Sequence, residues 1–185
     1  MARITDITQS ASAGCSTLTA GIKTVWLVDN LDITSFTCTE VATKAEWTAV
    51  TLSGANKLFK WTFTNDNTAF YNQTQANVTE NVEQSILINL NGIDAEKLDN
   101  LNGLKATCGL TAFIELTSGT ILCCGRDYDY TANTNAEMAK PLQLKGQVLS
   151  GLGNGDSEKV VVELVGASKI FQFTTTLSAA ALTAL

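Results

Sequence analysis

Asp127 and Asp129, separated by Tyr128 and flanked by Arg126 and Tyr130, are the residues whose types and spacing best suit chemistry. Two carboxylates two residues apart can hold a hard cation through oxygen ligands, or serve as the acid and base of a glycosidase-like pair. A solvated loop explains them as well, and that is the reading adopted. A second acidic set, Asp94, Glu96 and Asp99, stands at the start of a short helix, where negative charge favours the helix dipole. The chain has no histidine. The commonest general base and the commonest metal ligand are therefore missing, and a Ser-His-Asp or Cys-His arrangement cannot form within one chain. No catalytic residue, cofactor or metal site is expected.

Five cysteines, Cys15, Cys38, Cys108, Cys123 and Cys124, form an odd set without Cys-x-x-Cys spacing. A disulfide framework would show an even set in a shorter secreted chain, and zinc would need a Cys/His pattern. Adjacent Cys123 and Cys124 point to opposite faces if they lie on a strand, so they are poorly placed to chelate one ion. Buried free thiols in a reducing cytosol are expected. Gly151-Leu152-Gly153-Asn154-Gly155-Asp156 invites a phosphate-loop reading. It leads into a strand, whereas a phosphate loop needs a helix N-terminus behind it.

The elements that position these residues are mostly strands. Ile22 to Val28, Ile33 to Thr39, Trp47 to Leu52, Leu142 to Leu149 and Lys159 to Val165 read as strands bounded by turn residues. Lys57 to Thr64 is the cleanest alternation, with Phe59, Trp61 and Phe63 opposing Leu58, Lys60, Thr62 and Thr64. Such an aromatic face belongs over a sheet-on-sheet core. Ser85 to Leu90 is a β-branched strand, Asp94 to Leu101 a lone short helix ending near Gly103, and Leu110 to Arg126 a hairpin turning at Ser118-Gly119. Asn65 to Glu83 is polar and irregular, either a long loop or a hairpin reaching past the body.

With 185 residues, 45% hydrophobic and 16% charged, the chain is expected to build one domain (residues 21–169) between an N-terminal arm (1–20) and a C-terminal arm (170–185). A domain of this size buries roughly 70% of its unfolded surface and needs no staple. The net charge of -6 and pI near 4.6 oppose a phosphate-gripping nucleic-acid binder. They suit a surface past which DNA slides without sticking. The first residues lack the order of a signal peptide, and no apolar run spans a membrane. The expectation is a chain made and folded in a cytoplasm. From Ile170 to Leu185 no side chain is charged. That tail either packs on its own domain or docks on a neighbouring subunit, and docking is the expectation carried forward.

The order of elements from Leu58 to Thr64, through Ser85 to Leu90, the helix, the Leu110 to Arg126 hairpin and the two last strands, resembles the tube-forming fold. This is the fold of tail tube proteins of long-tailed phages and of related contractile tubes. The opening Ala20-Gly21-Ile22-Lys23-Thr24-Val25-Trp26-Leu27 is also similar to structural proteins of phages infecting Bacteroidetes. The resemblance spans roughly Gly21 to Val165. It implies two packed antiparallel sheets with one flanking helix, a mainly β fold whose six copies close into a ring. Stacked rings would form a conduit for DNA as passing cargo without specific binding, in a virion tail assembled in a bacterial host cytoplasm. Partners would be further copies and other tail or neck proteins. The residues expected to assemble are Asn67, Phe70, Tyr71, Asn77, Phe171, Phe173, Leu177, Leu182 and Leu185. A head–tail connector or tail-completion ring, and a capsid decoration or fibre-anchoring sandwich, stay open beside the tube, as does a small carbohydrate-binding or carboxylate enzyme domain.

Overall fold

A computed structural model describes residues 7–8, 21–41, 44–63, 69–75, 81–92, 94–128, 137–139, 141–150, 159–168 and 174–185. For residues 7, 8, 40, 41, 44, 45, 137–139 and 147–150 this covers the backbone alone. The strands in chain order are β1 (Ile7–Thr8), β2 (Ile22–Asp29), β3 (Ile33–Val41), β4 (Lys44–Leu52), β5 (Phe59–Thr62), β6 (Ala69–Thr74) and β7 (Val82–Asn91). After helix α1 (Ala95–Ala106) come β8 (Leu110–Leu116), β9 (Ile121–Cys124), β10 (Arg126–Tyr128), β11 (Glu137–Ala139), β12 (Gln143–Ser150), β13 (Lys159–Ser168) and helix α2 (Ala179–Ala184).

The fold is mainly β. A five-stranded sheet has the order β1-β5-β2-β8-β9 and a four-stranded sheet the order β12-β13-β7-β6. Val25, Leu27 and Trp61 of the first meet Ile86, Ile88, Val160, Val162 and Leu164 of the second in one buried core, which Leu101 and Leu104 of α1 extend. Fully burying each such side chain contributes about 1.5–3 kcal/mol. Trp61 and Phe63 are buried as the alternation of that segment predicts, while Phe59 is only half-buried.

The five-stranded sheet is apolar on both faces, and this gives a third layer. Trp26, Val28, Phe113, Ile121 and Cys123 point away from the sandwich core into a second cluster with Phe36, Cys38, Trp47 and Val50 of the β3–β4 hairpin. Phe36 meets Trp47 edge-on at 4.7 Å between centroids and stacks on Phe113 at 5.8 Å. The Arg126 guanidinium lies 4.7 Å over the Phe36 ring, a cation–π contact shielded from water. The continuous run Val25-Trp26-Leu27-Val28 thus reads as a strand covered from both sides rather than one with a wet face.

The structure corrects several expectations. The helix does not stop near Gly103; it runs to Ala106, because Leu104 is buried in the sandwich core and Gly103 is itself buried. Its start is the expected one, with Asp94 Oδ1 accepting from the Lys97 amide at 2.8 Å. The Lys97 ammonium, donating to Asp94 Oδ2 at 2.6 Å, and then the Lys97 amide hold the Asp94 carboxyl below its usual range. Nor is the helix alone, since α2 occupies the tail. Arg126 does not end the β8–β9 hairpin. Gly125, at φ 88°, turns the chain, and a Cβ there would stand 2.6 Å from the Leu110 carbonyl oxygen, so only glycine fits. Arg126 then opens β10, which pairs with β11. Of the polar segment 65–83, the described part forms the hairpin alternative, with β6 antiparallel to β7. Ile7 and Thr8, in the expected arm, run parallel to Trp61 and Thr62.

Candidate functional site

No helix among the described residues is long and apolar enough to cross a membrane. The carboxylate pair does not survive as a solvated loop: Asp127 is buried, and its Oδ1 accepts from the Tyr128 amide at 3.0 Å. Asp129 and Tyr130 lie outside the described residues, as do Cys15 and the glycine-rich turn at 151–156. Among the described residues no group of three or more Cys, Asp or Glu side chains is arranged to hold a metal ion.

The surface that strand physics makes reactive is the four-stranded sheet. All its pairings are antiparallel, and the ladders described beyond the sandwich core end at β6 on one side and β12 on the other. An edge strand presents unpaired N–H and C=O groups, and proteins blunt such edges with charges, proline or bulges. The β12 edge carries these devices. Pro141 precedes it, the register slips between Leu144 and Gly146, and Lys145 sits at the slip, paired with Glu163 at 3.0 Å. The β6 edge, Ala69-Phe70-Tyr71-Asn72-Gln73-Thr74, carries no charge and no proline. Among the described residues it is the last strand of its sheet, without these guards.

Side chains alternate along β6. Ala69 and Tyr71 turn toward the sandwich core, while Phe70, at 44% exposure, Asn72 and Thr74 stand outward. Across the same outward face, Glu83 and Glu163 are matched by Lys145 and Lys159. The acidity of the chain therefore does not concentrate on this sheet. The face is balanced in charge, with Phe70, Leu87, Val161 and Val165 among its outward residues, and lacks among the described residues the basic cluster that would hold phosphate.

Of the residues expected to assemble, Phe70 and Tyr71 thus sit side by side on the unguarded edge strand. Asn67, Asn77, Phe171 and Phe173 lie outside the described residues. Docking of Leu182 on a neighbour is corrected, since it is completely buried in its own chain's second cluster; Leu177 is half-buried against that cluster. Leu185 remains 36% exposed. The apolar surface that made the tail sticky is used at home, where Thr174 to Thr176 lie between β4 and β9. The missed signal was Ser178 before three alanines. Its hydroxyl accepts from the Ala181 amide at 3.2 Å and starts α2.

Cys123 and Cys124 do face opposite ways, into the second cluster and the sandwich core respectively. Cys38 is also buried, whereas Cys108 is exposed, against the expectation that the thiols are buried. Burial pushes the Cys124 thiol up to about 12 and raises Cys123 well above its ordinary value. Burial, then the neighbouring Cys124, raises the Tyr71 phenol. In each case the fold favours the neutral form. The stability these groups contribute is complete below the unfolded thiol value of 9.0 and is lost as pH climbs from there toward about 12. The denaturant midpoint should therefore fall between about pH 9 and about pH 12, and less so in a Cys123→Ala variant; a flat profile would refute the assignment.

Comparison with known protein families, with curated proteins and with solved structures finds no match to this chain.

Proposed function

We propose that the chain is a virion structural protein, a phage tail tube subunit that oligomerises into stacked rings enclosing a path for DNA. The observation that carries this reading is the polarity of the two sheet edges. In the order β12-β13-β7-β6 every neighbour is antiparallel, so β6 and β12 run in opposite directions. When copies are placed side by side, β6 of one meets β12 of the next in the same antiparallel alternation. The contact is head-to-tail, and a rotation that closes makes a ring without edges. The balanced outward face of this sheet suits a wall past which a polyanion moves.

A second reading has its own support. Because Leu182 is used inside the chain, it is not available to hold one ring on another. A single ring, such as a head–tail connector or tail-completion ring, fits that arrangement. Negative-stain microscopy of the purified protein over a range of concentrations tests both. Hollow tubes support the tube subunit, and isolated rings support the connector. A species that stays monomeric at high concentration would sink both.

A further inference from the structure

We infer that the C-terminal segment Thr174 to Leu185 is a clasp that holds the β3–β4 hairpin on the five-stranded sheet, and that clasp and hairpin open together as one unit. This does not rest on the proposed function. Among the described residues the hairpin is a two-stranded sheet of its own, with no ladder to the strands beneath it. A main-chain link to that sheet passes through the tail. The Trp47 amide donates to the Thr174 carbonyl at 3.1 Å, and the Thr176 amide donates to the Trp47 carbonyl at 3.0 Å. On its other side the tail donates from the Thr175 amide to the Ile121 carbonyl at 2.9 Å.

Side chains repeat the pattern. The Thr175 hydroxyl donates to the Trp47 carbonyl at 2.7 Å, and the Thr174 hydroxyl donates to Glu46 at 3.2 Å. Beyond this strip α2 sets Leu182 into the cluster under the hairpin, and the Trp26 indole donates to the Thr183 hydroxyl at 3.3 Å. The sandwich core between the two larger sheets draws on neither hairpin nor tail. Two clusters separated by one sheet, one of them closed by a terminal strip, is the arrangement from which local opening proceeds in cooperative units.

Amide hydrogen exchange on the full chain tests the coupling. In Leu182→Ala, exchange should quicken by about a hundredfold in β3, β4 and Thr174 to Thr176 together, as expected when a packed leucine is truncated. Amides of β7 and β13 should keep their protection. Quickening confined to the tail would overturn the inference, since the hairpin would then hold by itself. Equal quickening in β7 and β13 would overturn it too, by making the domain one cooperative unit. If Leu182→Ala does not fold, Thr175→Val, which removes the hydroxyl's bond to the Trp47 carbonyl and its acceptance from the Leu177 amide, is read in the same way at about fivefold or more.

Discussion

Lysines placed at Asn72 and Thr74 should abolish ring or tube formation while leaving the subunit folded. Both side chains are exposed on the outward face of β6, the edge that lacks charge, proline and bulge. Surface substitutions of this kind change stability by about 0.5 kcal/mol or less. Their effect on a seam with β12 is different in kind, because Lys145 stands on that edge and the new lysines would add like charge to the join. Like charges opposed across strands are destabilising, and each seam of a closed ring repeats the penalty. Adding Lys145→Glu should restore assembly by making the charges at the join opposite. Sedimentation of the double and triple variants, with melting temperature as the folding control, decides it. Rings that persist in the double variant would place the seam elsewhere; failure of the triple variant alone would remove β12 as the partner.

Trp26→Ala is the substitution expected to cost the fold most. Trp26 lies on β2, between β5 and β8, is completely buried, and points into the second cluster beside Phe113. Removing a buried tryptophan costs about 3–5 kcal/mol, a large part of the 5–15 kcal/mol by which domains are stable. For a chain of this length the melting temperature should drop by roughly 6–20 °C. The indole donor to Thr183 is lost with the ring, so α2 should loosen as well. Calorimetry measures the first effect and the helical signal of the tail the second. A drop of less than a few degrees would mean that the cluster collapses around the gap.

Period-two alternation made the sandwich legible, and for a stated reason. Trp61 and Phe63 point inward and Lys60 outward because side chains on a strand must alternate, so the core face could be read directly from Lys57 to Thr64. The same rule separated Cys123 from Cys124 correctly. It failed where both faces are covered. In Val25 to Val28 each residue is apolar, so periodicity could not say that a third layer exists or that β3–β4 supplies it. Asp127 was misread because composition says that acids are solvated, while burial here is set by the turn at Gly125 and the pairing of β10 with β11. The tail was misread because an uncharged run announces that it needs a partner without saying which. The edge that now carries the functional reading was only half visible: β6 could be suspected from Phe70 and Tyr71, but its lying at the border of a sheet is a fact of topology.

The strip Thr174 to Thr176 joins Trp47 to Ile121, so a bond made by Trp47 waits for residues synthesised long after it. Ribosomes add about 5–20 residues per second. Trp47 is therefore synthesised roughly 6–25 s before Thr174 exists to receive its amide. During that interval the nascent chain carries an unfinished apolar surface under the hairpin, and synthesis of the strip and of α2 with Leu182 is what closes it. Translation order thus acts as a timer on the second cluster.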